Sequence, residues 1–176
     1  MSLSLRGSRS SSTCSCAHRV PAEPPVGPLR LDVVRHERHL AHLKHVGEVG
    51  KTFFLRHAAA RGFDDAAFVD PSRSLGEATI WNLAFWDGES VIWPRAGLLP
   101  GITMQVLARR LAARGVAHRT VDVHAEDLGV YSAAVVMNSW TPGIPVDRIG
   151  DHQFTDDEQL VRVLHAPYAD ESLVTV

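Results

Sequence analysis

Lysine is nearly absent from this 176-residue chain: Lys44 and Lys51 are the only two among eighteen basic residues. Chemistry that needs a primary amine on a side chain therefore has two candidates. Cysteine is equally scarce, with Cys14 and Cys16 alone, both in a serine-rich start. One C-x-C pair is at best half a metal site, and the plainer reading is two exposed thiols. No run of eighteen apolar residues occurs, which leaves no candidate transmembrane helix. The start lacks the apolar core of a secretory signal. It is rich in Arg and Ser and poor in acids, but it lacks the amphipathicity of an organelle transit peptide. A cytoplasmic location is the expectation. Charge of one sign is also missing, since the formal net charge is −2. Nothing in that balance selects a nucleic acid or a membrane as partner.

What is present suits one globular domain: 45% of residues are hydrophobic and 22% are charged. Residues 1–28 stand apart. Serine dominates up to Cys16, and Pro21, Pro24, Pro25 and Pro28 follow. Such a segment buries too little apolar surface to offset its ordering entropy, so it is expected to be disordered, with the domain spanning 29–176.

Periodicity predicts the elements of that domain. Leu31, Val33 and Val34 suit a short strand. A helix is expected over 43–61, with Val46, Val49, Phe53 and Ala60 on one face and Gly62 as its stop. A buried strand follows over 66–70, then a turn at 71–74. Residues 77–86 alternate as one strand, and Asp87-Gly88 turns it back into 91–93. Pro100-Gly101 opens a helix over 102–114 whose Met104, Leu107, Ala108 and Leu111 share a face, capped by Gly115. Val121 and Val123 suit a strand and 125–128 a short helix. A strand over 133–137, a loop over 138–142 and a strand over 144–149 lead to a turn at Gly150. A last helix is expected over 155–164, where Thr155 and Glu158 have the spacing of a capping box.

Four histidines, His36, His39, His42 and His45, recur every third residue and suggest metal ligands. On a helix such steps drift by about −60° each, so only neighbours align. A partly solvated basic stretch is the stronger reading, and no metal is expected.

The informative feature is an ordered series of short motifs. It runs Lys44, then Gly62-Phe63-Asp64-Asp65-Ala66, then Glu77-Ala78-Thr79-Ile80-Trp81-Asn82-Leu83. Leu99-Pro100-Gly101-Ile102-Thr103 comes next, then Asn138-Ser139-Trp140 ahead of Pro145-Val146. In order and spacing the series resembles the class IV pyridoxal-phosphate (PLP)-dependent aminotransferases. That family includes branched-chain and D-amino-acid aminotransferases and aminodeoxychorismate lyase.

The resemblance implies an α/β (α+β) fold: the C-terminal pseudo-barrel domain of the D-amino-acid aminotransferase-like architecture, without the family's small N-terminal domain. It implies PLP as cofactor, an amino acid or 2-oxo acid as small-molecule partner, and the homodimer usual in the family. Lys44 would form the Schiff base and move the proton between substrate and cofactor. Helix geometry alone does not separate Lys44 from Lys51, seven residues away; the spacing to Glu77 selects Lys44. Glu77 would accept a hydrogen bond from the pyridine nitrogen and keep it protonated. Leu99 would pack on the ring. Gly101, Ile102 and Thr103 would bind the phosphate at a helix start, with Ser139 as a second anchor. The N–H groups of Ser139 and Trp140 would lie beside the substrate carboxylate. Arg35, Arg38 or Arg56 are the candidates for the phosphate arginine that the family's N-terminal domain commonly supplies.

There are departures. Val49 stands where branched-chain enzymes carry a tyrosine, Met104 stands where a basic residue is usual, and Trp140 stands where a small one is common. Two alternatives to transamination follow: an incomplete PLP-binding fragment, and a lyase acting on aminodeoxychorismate.

Overall fold

Along the central strands, alternate residues are buried in two different places. In the computed structural model, which describes residues 27–46, 49–155 and 158–171, β4 (Asn82–Trp86) sends Leu83 and Phe85 into one core and Ala84 and Trp86 into another. Strand β7 (Ala133–Asn138) does the same with Ala134 and Val136 against Ala133, Val135 and Met137. A period of two with both faces apolar means that each face of the sheet is covered.

The topology supplies the covers. Strands β1 (Leu29–Arg35), β2 (Asp65–Val69), β3 (Leu75–Ala78), β4, β7 and β8 (Thr141–Ile149) pair in the order β3-β2-β1-β8-β7-β4. A further pairing of β3 with β4, through Glu77 and Asn82, joins the two ends of that order. Six strands thus close into a barrel. Beyond β4 it continues through β5 (Val91–Pro94) to β6 (His118–Val121), and β9 (His152–Gln153) pairs with β8. Leu31, Leu75, Leu83, Phe85 and Ile149 fill the interior. Helix α2 (Ile102–Ala113) and helix α3 (Glu158–Ala169) cover the outer face of β4 and β7 with Leu107, Leu111, Leu160 and Leu164. Helix α1 (Val49–Ala60) connects the parallel strands β1 and β2. This is the pseudo-barrel expected, with mixed strand directions and few helices.

Several boundaries differ from the expectation, each for a physical reason. Helix α1 starts at Val49, and the stretch from Leu40 to Leu43 is a turn closed by Leu43 N–H on Leu40 O at 2.8 Å. The Arg38 guanidinium takes the Ala41 and Leu43 carbonyls, so those groups are satisfied without a helix. The buried face of α1 is also not the one read from spacing. Ala58 and Phe54 face Ala66 and Phe68, while Val49 and Phe53 point to solvent. Residues 77–86 form two strands, because Thr79–Trp81 turn back so that Glu77 pairs with Asn82. The loop expected over 138–142 shrinks to the turn Ser139-Trp140, since β8 already starts at Thr141. The short helix expected over 125–128 is a single 3₁₀ turn at Leu128–Val130. Helix α3 runs on to Ala169 with Pro167 inside it. The capping-box residues Thr155 and Glu158 flank positions outside the described residues, and the disorder expected over 1–28 falls almost wholly outside them. Gly62, Gly115 and Gly150 all have positive φ, as their stop and turn positions require.

Phe85 lies fully buried at the barrel centre, its ring 5.2 Å from Tyr131 and 6.3 Å from Phe154. Phe85→Ala is expected to cost about 3–5 kcal/mol of unfolding free energy. Phe53→Ala, on the exposed face of α1, should stay within about 0.5 kcal/mol. Urea denaturation of the two variants measures both.

Candidate active site

One end of the barrel opens into a cleft of about 580 Å³, a volume typical of small-molecule sites. Four segments form its walls: Lys44 ahead of α1, Ile80 in the β3–β4 turn, Leu99 to Thr103 leading into α2, and Asn138 to Trp140 between β7 and β8. Among the described residues Lys44 is the one charged side chain of that lining, and no Asp or Glu takes part. The first N–H groups of α2 lie in the same wall and have no partner within their own helix. An amine, the positive end of a helix dipole and no competing carboxylate make an anion-accepting cleft.

The geometry of that wall is set by Glu77 from behind and by Asn82, which itself lines the cleft. Being paired across β3 and β4, their side chains project to the same side. Asn82 Nδ2 donates to Leu99 O at 2.7 Å, and Gly101 N donates to Asn82 Oδ1 at 3.2 Å. Leu99 N donates to Glu77 Oε2 at 3.2 Å. Three backbone groups of the Leu99–Gly101 segment are thus held by two side chains. Gly101 is required here for space: a Cβ would sit 2.3 Å from Asn82 Oδ1. The other carboxylate oxygen of Glu77 accepts from Arg38 Nε at 2.7 Å, and both residues are only 6% exposed. A buried pair of this kind persists only when its remaining hydrogen-bonding capacity is used, and here Ala41 O, Leu43 O and Leu99 N use it.

The opposite wall is the β7–β8 turn. Trp140 N donates to Asn138 Oδ1 at 2.8 Å, and Thr103 Oγ1 donates to Asn138 O at 2.8 Å, which ties the turn to α2. The Trp140 ring meets Trp81 edge-on, centroids 6.2 Å apart at 66°. Trp81 is buried, and its Nε1 donates to Asp65 Oδ2 at 2.9 Å, while Asp65 Oδ1 accepts from Ala66 N at 2.6 Å. Burial pushes the Asp65 carboxyl above the usual carboxylate range, and these hydrogen bonds only partly offset it.

The structure gathers Lys44, Leu99, Gly101, Ile102, Thr103, Ser139 and Trp140 around one cleft. Glu77 stands behind it rather than in its lining, reached through Leu99. The Thr103 hydroxyl and the Trp140 N–H, expected to face ligand groups, are bonded to Asn138. Of the arginine candidates, Arg38 is committed to Glu77, and Arg35 and Arg56 are exposed and outside the lining. Sequence reasoning passed over Arg38 as the partner of Glu77. It also gave Asn82 no task, although the interval between Glu77 and Asn82 is the signature of their hairpin. The histidines gather no metal site: among the described residues no cluster of three potential ligands occurs. His36 instead packs 4.8 Å from both Phe54 and Phe68, where burial lowers its pKa below the ordinary imidazole value.

A closed mixed barrel with a cleft over a helix N-terminus is suited to hold an anionic small molecule. The family model for class IV amino-transferases matches residues 8–149, and the chain belongs to that family. The match begins ahead of residue 29, within the segment that composition sets apart. Among curated proteins none matches the sequence. Solved structures share the fold. A Legionella pneumophila protein assigned as a 4-amino-4-deoxychorismate lyase is 23% identical, with TM-score 0.78, over 86% of this chain and 59% of that one. A branched-chain aminotransferase from Thermoproteus uzoniensis, solved with norvaline, is 19% identical with TM-score 0.74, over 82% and 51%. A hypothetical aminotransferase from Mycobacterium tuberculosis in a PLP-bound form is 18% identical with TM-score 0.71, over 81% and 54%. The chain therefore spans between about half and three-fifths of the length of these structures.

Two outcomes follow from the geometry. An Asp whose pKa is raised on folding favours the folded state fully below its unfolded value, near 3.9, and less as pH climbs through the raised value. Asp65→Asn should remove that loss, so the wild type should fall in stability relative to the variant as pH rises above about 4. Denaturation midpoints across pH read the difference. Gly101→Ala, by driving a methyl against Asn82, should cost about 1–3 kcal/mol in the same assay.

Proposed function

We propose that this chain is the PLP-binding part of a class IV aminotransferase, which moves an amino group between an amino acid or amine and a 2-oxo acid. The observation that supports it most is the placing of Lys44, the cleft's one amine, in the same cleft as the free N–H groups of α2. The residues present suit the cofactor. The phosphate would find the helix start of Gly101-Ile102-Thr103 and the Ser139 turn, with no carboxylate among the described lining residues to repel it. Thr103 contributes its hydroxyl by turning from Asn138 O. Leu99 presents an apolar side chain for a flat ring. Glu77, paired with Arg38 and standing just behind Leu99, would be the acceptor for the pyridine N–H.

When bound, PLP serves as an electron sink for the substrate carbon that carries the amino group. Lys44 Nζ would be the covalent anchor for that cofactor, and once freed it would take the proton from the substrate carbon that bears the amino group and deliver it to the cofactor. Arg38 fixes the direction of the Glu77 carboxylate. Asn82 and Gly101 keep the helix start where the phosphate needs it. The reaction as a whole belongs to a longer assembly in this reading, with a second wall over the cleft and the family's homodimer.

One alternative keeps the same cradle. The Legionella pneumophila protein assigned as a 4-amino-4-deoxychorismate lyase shares the fold over 86% of this chain, and cleavage of an aminodeoxychorismate-like substrate is the second reading. Pyruvate release from that compound selects the lyase. A spectral change on adding an amino acid to the PLP-loaded chain selects transamination. PLP uptake with neither marks a binding fragment without turnover.

Borohydride reduction of the PLP-loaded chain should fix the cofactor on Lys44, as read by peptide mass. Lys44→Ala should abolish the label, and Lys51→Ala should keep it. A label that stays in Lys44→Ala sinks the assignment.

A further inference from the structure

Trp140 stands out among the cleft residues. It is a large apolar side chain left 47% exposed at the opening, in a two-residue turn where a small residue would serve the backbone equally well. Its position is nevertheless fixed. Its N–H is held by Asn138 Oδ1, and its ring rests edge-on against Trp81. Trp81 is only 4% exposed, and its own N–H is anchored on the buried Asp65 carboxylate at 2.9 Å. Ile80, from the same turn as Trp81, lines the cleft beside it and is also half-exposed. A braced indole next to an isoleucine is a preformed apolar surface, which binds flat apolar groups without ordering itself first.

The charges of the cleft point the same way. Among the described lining residues Lys44 is the one basic side chain, and in the reading above it is taken by the cofactor. Beside Trp140 and Ile80 the lining offers a second substrate carboxylate only the neutral Asn138 and Ser139 and no cation, so a carboxylate placed there would lose hydration with partial compensation.

We propose that Trp140, braced by Trp81 and Asp65, sets the side-chain preference of the substrate: an aromatic or bulky apolar amino acid or 2-oxo acid over a dicarboxylate. This rests on the aminotransferase reading. Trp140 acts by contact with the substrate side chain, and Trp81 and Asp65 act as positioning residues.

The test uses the full PLP-loaded chain and unreactive carboxylates, so that no turnover is needed. Cofactor uptake is read first from PLP absorbance; then 3-phenylpropionate and glutarate are titrated by calorimetry and by tryptophan fluorescence. The phenyl compound should bind at least about tenfold more tightly, the scale on which a hydrophobic contact discriminates. It should also quench the fluorescence. Trp140→Ala should erase that preference with PLP uptake unchanged, and Trp140→Phe should keep most of it. Glutarate binding equal to or tighter than 3-phenylpropionate overturns the proposal, as does a preference that survives in Trp140→Ala. Failure to take up PLP at all overturns the parent reading and this one with it, and is seen at the first step.

Discussion

The buried pair between Arg38 and Glu77 is the contact on which the site depends. One guanidinium holds a carboxylate at 2.7 Å and takes two carbonyls of the 41–43 segment. That segment leads directly to Lys44. The carboxylate in turn takes the N–H of Leu99. A single ion pair therefore couples the lysine-bearing loop to the wall that precedes α2. Removing either partner would leave the other charged and buried, at a cost of about 3–5 kcal/mol. The arrangement also explains why the loop is irregular: its carbonyls point inward to Arg38 instead of along a helix.

Barrel closure and site assembly are the same event in this fold. Glu77 pairs with Asn82 where β3 meets β4, and that pairing closes the ring of strands. The same two side chains fix the backbone from Leu99 to Gly101. The site is thus built at the seam of the barrel, on strands whose other residues lie in a packed core. Side chains on such strands keep their direction better than side chains on loops, as a cofactor cradle demands.

Much of this was legible in the chain. The two-residue alternation of β4 and β7, the α2 face carrying Leu107 and Leu111, and the glycine stops at Gly62 and Gly115 follow from local rules. The α1 face was misread because Val49 and Phe53 are apolar yet exposed, while small Ala58 supplies the fully buried contact. Spacing reports where apolar residues recur and not which of them meets a neighbour. The strand over 77–86 was misread for a related reason. Apolar character continues through Ile80 and Trp81, so composition hides a turn that only the pairing of Glu77 with Asn82 reveals.

The sequence by itself determined the family's motifs and their order, the scarcity of lysine that makes Lys44 conspicuous, and the unbroken apolar run over 133–137 that suits a buried strand. Only the tertiary structure decided what those residues touch. It turned Arg38 from a candidate for the phosphate arginine into the partner of Glu77, gave Asn82 the task of holding Gly101, and stood Trp140 on Trp81 and Asp65. The reason is distance along the chain: these contacts join residues tens of positions apart. Local propensity carries no information about such pairings, which closure of the barrel creates.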